Sequence, residues 1–307
     1  MRRLDIGIAS YGRNWQQLER TLAALVKHSV TDFRCFIVHN PSAGDEQTKE
    51  AICRIADRDK RFIPVWKSEN VGYAGACNAI LATAETEYIA YLDNDAEVLT
   101  PGWDETLCSY LDRFHEIGLI FPNDGAYQID RGPYKEVLWA CGFCWIMNRM
   151  CASDLSLKSD VSYLLSSLLF GKDPGYIFDQ NLGHQEEADV CQRVRMAGWR
   201  CAAVPEVRCD HKATATNDAA STERINRGVV NWVNKHNRYF NGKNFNYHSA
   251  NVTRFEDWPP NALYLEEYWK QRMPELNANP EVVKIDGREY DLIKVPRFSG
   301  FYRNRII

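Results

Sequence analysis

Three observations predict an α/β protein with a mostly parallel central sheet covered by helices on both faces. Short apolar runs of strand length alternate with amphipathic stretches of helix length from Leu4 to Leu92, and parallel strands need crossovers of that length. Hydrophobic residues make up 45% of the chain and charged residues 25%, ordinary usage for a packed core. At 307 residues the chain exceeds the common size of one domain, so a large α/β unit with an appended part is expected.

The first strand is read at Leu4 to Ala9. Asn14 followed by Gln17 has the pattern of a capping box, and Trp15, Leu18, Leu22, Leu25 and Val26 recur behind it near helical spacing. Arg34 to His39 reads as the second strand, Glu46 to Ala56 as the second helix and Phe62 to Trp66 as the third strand, which completes β-α-β-α-β. A helix from Ala74 to Ala84 leads to the apolar strand Tyr88 to Leu92, which runs straight into Asp93-Asn94-Asp95. Thr100 and Pro101 suit the N-cap and first position of another helix, with Asp104 and Glu105 in its first turn. Ile117 to Pro122 and Val137 to Met147 read as strands, Met150 to Phe170 as a leucine-rich helix and Gly171 to Gly183 as a loop. Glu186 to Ala197 is the next helix, closed by Gly198, and Trp199 to Pro205 the next strand.

The polar stretch Lys212 to Ser221 reads as a linker and divides residues 1–212 from a C-terminal α+β extension, 213–307. Helices are expected there at Thr222 to Phe240 and Leu263 to Arg272. Asp286-Gly287, between Val282–Ile285 and Tyr290–Ile293, signals a hairpin. An extension of this kind suits acceptor binding or oligomerisation.

A formal charge of −4 gives no global attraction for nucleic acid. Locally, Arg224 to Lys243 carries five Lys or Arg and no acid, interleaved with Trp232, Tyr239 and Phe240. Such a run is either a solvated helix face or a contact for a diphosphate, a lipid phosphate or nucleic acid. No apolar run reaches the roughly 18 residues that span a bilayer, so no transmembrane segment is expected. Asp5 interrupts the basic-then-apolar start, which argues against a signal peptide. Ten scattered cysteines point to reduced thiols and a cytoplasmic setting, with peripheral membrane attachment left open. Cys141-x-x-Cys144 lacks a second pair or histidines at ligand spacing and reads as buried strand rather than a zinc site.

Four features along the parallel region suit the parts of a nucleotide-sugar ligand. Ser10-Tyr11-Gly12-Arg13 ends the first strand, where it is either a plain turn or a contact for a base or ribose. Asn70-Val71-Gly72-Tyr73-Ala74-Gly75-Ala76-Cys77-Asn78 is a small-residue loop opening a helix, which serves either close ligand approach or tight helix–sheet packing. Asp93-Asn94-Asp95 lies at a strand's carboxyl end, where open α/β sheets bind ligands. Its two carboxylates suit a magnesium or manganese ion that also meets pyrophosphate oxygens. Finally, Gln185-Glu186-Glu187-Ala188-Asp189-Val190 precedes Arg193, Gly198, Pro205 and His211. A helix dipole favours acids at its start, but three of them leave one for general-base work, and His211 follows a strand end where a neutral imidazole would complete a metal shell.

Together these motifs resemble the inverting family 2 glycosyltransferases of the GT-A fold, a Rossmann-like architecture, and in particular rhamnosyltransferase-like bacterial and phage members. The resemblance covers roughly residues 4 to 212. The family's S/T-Y-N-R-like turn is matched by Ser10 to Arg13, its N-x-G loop by Asn70 to Asn78, and its D-x-D by Asp93 and Asp95. Its E-D-x-D-L helix and the R, G, P and H that follow are matched by Glu186 to Val190, Arg193, Gly198, Pro205 and His211. The resemblance implies Asp95 and His211 as metal ligands, with Asp93 serving the metal or the ribose beside Asn94. Glu187 falls at the base position, where the family has aspartate; Glu186 or Asp189 are the alternatives. Val38-His39-Asn40-Pro41-Ser42 stands where the family commonly reads V-D-N-G-S, and its aspartate recognises a uracil or thymine edge. His39 lacks that pair of acceptors, so the donor base stays open among UDP-, dTDP- and GDP-sugars. Trp139-Ala140-Cys141-Gly142-Phe143-Cys144-Trp145 resembles the acceptor-side strand, whose aromatics serve either sugar stacking or the core.

The sequence therefore predicts a manganese- or magnesium-dependent transferase that moves a hexosyl or deoxyhexosyl group from a nucleotide-diphosphate sugar to a hydroxyl. The acceptor would be a glycan or a lipid-linked sugar, with protein and hydroxymethylated DNA lower in the order. A nucleotidyltransferase of the same fold group is the first alternative, although such enzymes favour a longer glycine- and basic-rich loop than Tyr11-Gly12-Arg13. A noncatalytic carbohydrate- or nucleic-acid-binding protein is the second.

Overall fold

The computed structural model describes residues 3–12, 14–122, 126–139, 142–155, 175–183, 186–211, 231, 282–285 and 288–291. β1 (Arg3–Tyr11), β2 (Asp32–Asn40), β3 (Phe62–Trp66) and β4 (Tyr88–Asp93) alternate with α1 (Trp15–His28), α2 (Glu46–Arg58) and α3 (Gly72–Thr83). There follow β5 (Ala96–Val98), α4 (Trp103–Arg113), β6 (Ile117–Pro122), β7 (Ala126–Asp130), β8 (Lys135–Trp139), β9 (Cys144–Asn148) and α5 (Arg149–Asp154). Then come α6 (Glu186–Met196), β10 (Arg200–Val204) and β11 (Cys209–His211).

The main sheet has the order β3-β2-β1-β4-β9-β6-β10-β8-β7. β1 to β4 are mutually parallel, as the helix-length crossovers require, and β10 runs parallel to β6. β9 is inserted antiparallel between β4 and β6, and β8 and β7 form an antiparallel edge.

Strand alternation divides the core into two layers. On one face Leu4, Ile6, Ile8, Ala90 and Leu92 pack with Leu18, Leu22 and Leu25 of α1, Ile52 of α2 and Trp103 and Leu107 of α4. On the other, Ile89, Tyr91, Trp145 and Met147 pack with Ile80 of α3, Cys151 of α5 and Val190 and Val194 of α6. α3 sits directly on the β1 backbone, since a Cβ at Gly7 would lie 2.3 Å from the Ile80 side chain.

Several local expectations are corrected. Asn14 precedes α1 but makes no side-chain cap; the neighbouring Trp15 indole instead donates to Gln47 Oε1 at 3.0 Å. Val26 is exposed on the far side of that helix. α4 starts at Trp103 after the left-handed Gly102 (φ 70°), not at Pro101. Its Asp104 is buried and accepts from the Thr31 N–H and hydroxyl at 2.9 and 2.6 Å, so it ties down the α1–β2 connection. Val137 to Met147 is not one strand but parts of two, β8 and β9, which are not neighbours in the sheet.

The hairpin forms between β12 (Val282–Ile285) and β13 (Arg288–Asp291), with Ile285 opposite Arg288, so its second strand begins two residues before Tyr290. Residues 156–174, the linker Lys212 to Ser221, both extension helices apart from Asn231, and most of the basic run lie outside the described residues. Asn231 Nδ2 donates to the Asn181 carbonyl at 3.1 Å. Among the described residues no helix is long and apolar enough to cross a membrane.

A candidate metal and donor site at the end of β4

β4 ends at Asp93, and β5 begins three residues later, so Asn94 and Asp95 form the turn between them. The Thr21 hydroxyl of α1 donates to the Asn94 carbonyl at 3.1 Å and holds this turn. β11 pairs antiparallel with β5, with His211 opposite Ala96. That register delivers the imidazole to the acids: His211 Nε2 lies 3.2 Å from Asp95 Oδ1 and 3.5 Å from Asp93 Oδ2. One ligand atom from each of the three residues lies within 4.8 Å of the others.

Two carboxylates and one imidazole form a hard, mainly oxygen donor set of the kind manganese and magnesium accept. The electrostatics agree with a cation-seeking site. Burial pushes the Asp93 carboxyl up to about 6, helped by Asp95 and opposed by the Tyr91 hydroxyl and His211. Burial alone would lower the His211 pKa, but its hydrogen bond to Asp95 and the charges of Asp93, Asp95 and Asp210 raise it above the usual value.

Phe143, just before β9, touches both ends of this cluster. Its carbonyl accepts from the Asp93 N–H at 2.8 Å, and its ring stacks on His211. Next to it, Gly142 lies beside Glu187: a Cβ there would stand 3.5 Å from Glu187 Cγ, an ordinary contact distance. Glu187 lies in the first turn of α6, and burial pushes its carboxyl up to about 7, opposed by its own backbone N–H and reinforced by the Asp93 charge. The two neighbouring acids are placed differently. Glu186 is buried. Asp189 is 0% exposed and bound at 2.9 Å by Arg193, whose other nitrogens donate to the Leu155 and Ile177 carbonyls. Asp189 is thus a structural anchor for α6, with no free face for an acceptor.

Of the expected donor contacts, several side chains are spent inside the protein. Asn78 is buried and clamps the 177–178 backbone, accepting from the Ile177 and Phe178 N–H groups and donating to the Phe178 carbonyl, each at 2.8 Å. Asn40 accepts from the Val71 N–H at 3.1 Å and donates to the Gly72 carbonyl at 3.2 Å, while Asn70 accepts from the Gly72 N–H at 2.9 Å. These bonds shape the loop at the start of α3, where Gly72 adopts φ 69°.

His39 is 1% exposed; its Nδ1 meets the Ser10 hydroxyl at 3.2 Å and its Nε2 meets Asp45 Oδ2 at 2.9 Å. Asp45, which the sequence reading passed over, resists burial through Lys49, the Ser42 N–H and His39, and its carboxyl is held well below the usual range. Tyr11 and Trp66 are exposed at the same sheet end. Arg13 lies outside the described residues. Trp145 belongs to the core, whereas Phe143 stacks on His211 beside the acids.

The family model of glycosyl transferase family 2 matches residues 5–154. A protein of Methanocaldococcus jannaschii described as an uncharacterized glycosyltransferase is 26% identical over 119 residues, which cover 38% of this chain and 40% of that protein. The matched stretch thus spans less than half of the relative. Among solved structures, the mannosyltransferase PcManGT from Pyrobaculum calidifontis, in complex with GDP-Man and manganese, aligns over 94% of this chain and 78% of its own with 14% identity and a TM-score of 0.56. A structure of GalNAc-T7 with UDP, GalNAc and manganese aligns over 91% and 57% with 11% identity and a TM-score of 0.57. The 1–349 portion of S. aureus TarS, in complex with UDP-GlcNAc, aligns over 94% and 96% with 11% identity and a TM-score of 0.51. Residues 5–154, which include β1 to β4 and the Asp93-Asn94-Asp95 turn, thus match glycosyl transferase family 2, and the sheet is that of the GT-A fold.

Proposed function

We propose that this protein is a metal-dependent inverting glycosyltransferase that uses a nucleotide-diphosphate sugar. The observation that carries the reading is the convergence of Asp93, Asp95 and His211 on one point, with Glu187 reached from it through the adjacent pair Gly142 and Phe143. Asp93, Asp95 and His211 would hold a manganese or magnesium ion. Such an ion, when bound, offsets the negative charge that grows on a departing nucleoside diphosphate. Neighbours of the same fold were solved with UDP-GlcNAc or with GDP-Man and manganese, which supports a nucleotide-sugar donor for this chain.

Glu187 serves as the general base. A carboxyl poised at about 7 takes a proton from an acceptor hydroxyl more readily than one at the ordinary value of 4.5. The oxygen so freed attacks the anomeric carbon from the side opposite the diphosphate, which inverts that centre. Gly142 lies beside Glu187 and Phe143 is bonded to Asp93, which supports removal of the proton close to the leaving group. The acceptor proposed is a glycan or lipid-linked sugar hydroxyl, with residues 213–307 contributing to its recognition.

A donor screen with manganese, read by nucleoside diphosphate release, tests this reading. Release from at least one of the UDP-, dTDP- or GDP-sugars is expected, and it should be lost in Asp95→Ala. Unchanged metal-dependent release in that variant would remove the metal assignment.

A further inference from the structure

We propose that Tyr91 is a positioning residue that makes Asp93 present a single oxygen to the metal site. The proposal rests on reading Asp93, Asp95 and His211 as that site. Residues two apart in a strand share a face, so Tyr91 and Asp93 of β4 lie side by side on the layer formed by α3, α5 and α6. The Tyr91 hydroxyl donates to Asp93 Oδ1 at 2.5 Å, while the other oxygen, Oδ2, is the one turned towards His211.

The phenol is itself held rigidly. Its ring stacks on Trp145 with centroids 5.3 Å apart and planes 18° apart, Trp145 stacks on Phe178 at 5.7 Å and 20°, and Tyr73 packs edge-on at 5.3 Å and 84°. Tyr91 is fully buried, so its hydroxyl has no solvent alternative. A carboxylate with one oxygen bound in this way offers the other as the freer ligand, and chelation through both would compete with the phenol hydrogen bond for Oδ1.

Ion size gives this arrangement a consequence that mere satisfaction of a buried hydroxyl lacks. Magnesium and manganese take compact six-coordinate shells, whereas calcium takes six to eight oxygens at longer distances and readily accepts two-point carboxylates. Holding Asp93 to one oxygen therefore disfavours calcium.

The test uses the full chain and Tyr91→Phe, which keeps the ring and its stacks. Manganese binding is measured by the loss of the free-ion electron paramagnetic resonance signal, and calcium binding by competition. Loss of such a supporting contact is expected to weaken manganese roughly 10–100-fold, with calcium weakened less, so that the manganese-to-calcium preference narrows by about tenfold. An unchanged preference, including equal losses for both ions, overturns the role. Asp95→Ala separates the two levels: native manganese affinity in that variant defeats the metal-site reading itself, whereas its loss beside an unchanged preference in Tyr91→Phe defeats only the role of Tyr91. Should Tyr91→Phe not fold, 3-fluorotyrosine placed at position 91 provides a second measurement. Its fluorine resonance is expected to move when magnesium is added, and a fixed resonance at saturating magnesium overturns the proposal.

Discussion

His211 and Phe143 lie face to face, with ring centroids 4.6 Å apart and planes 12° apart, while the Phe143 carbonyl accepts the Asp93 N–H at 2.8 Å. One residue ahead of β9 thereby sets both the plane of the imidazole and the height of the carboxylate beside it. Stacked ring pairs contribute about 0.5–1.5 kcal/mol beyond their buried area. Phe143→Ala is therefore expected to raise the manganese concentration for half-maximal activity by roughly 2–10-fold, and Phe143→Tyr to keep it near the native value. A metal titration of initial rates checks both; equal behaviour of the two variants would separate the stack from metal binding.

The pH dependence of transfer should follow Glu187. Its carboxyl is raised from 4.5 to about 7, so the fraction able to accept a proton grows as pH rises, and the rate should climb through about pH 7 and level off above it. The same shift means the folded state favours the neutral form, so this group's contribution to stability declines as pH rises from about 4.5 to about 7. Glu187→Gln, neutral at every pH, should lose turnover yet be at least as stable as the native protein at pH 8. A thermal melt at that pH beside a rate profile checks both halves.

Asp189 and Glu187 are two residues apart in α6 and should answer mutation oppositely. Removing Asp189 leaves Arg193 buried without its carboxylate, and breaking a buried pair in this way costs about 3–5 kcal/mol. Asp189→Ala is expected to unfold at a clearly lower temperature or to be recovered poorly, with its fate visible before any assay. If Asp189→Ala instead melted normally and lacked turnover, the base would have to be reassigned to it.

Metal should also stabilise the fold. A ligand that binds only the folded chain at about 100 times its Kd adds about 2.7 kcal/mol, enough to raise Tm by several degrees. Manganese is expected to do so for the native protein and much less for His211→Ala. Calorimetric scans with and without the ion provide the comparison, and equal shifts in both proteins would argue against His211 as a ligand.

Much of the scaffold was legible because its signals are local. The alternation of Leu4, Ile6 and Ile8 marked β1, and the spacing of Leu18, Leu22 and Leu25 marked α1, since each pattern reflects one buried face. The break between β8 and β9 was not legible: Val137 and Met147 bound an apolar stretch whose division depends on which sheet neighbours it meets. Within the site, residue type and strand-end position singled out Asp93, Asp95 and His211 before any geometry was known. The partners of Asn78, Asn40 and His39 were hidden, because an amide or imidazole looks the same in sequence whether it faces a ligand or a neighbouring loop. Tyr91 did carry a signal, its two-residue offset from Asp93 on one strand face, whereas the stack of Phe143 on His211 joins residues 68 positions apart and left none.

The three-residue pairing of β5 with β11 has a consequence for how the protein is made. Asp95 and His211 are more than a hundred residues apart in sequence, and that short ladder brings them together. During synthesis the acids leave the ribosome well before the histidine does, so the proposed metal site stays incomplete until β11 has emerged. On the proposed reading of Asp93, Asp95 and His211 as ligands, the last of them to emerge would close the shell, and metal affinity would then report that β11 has paired with β5.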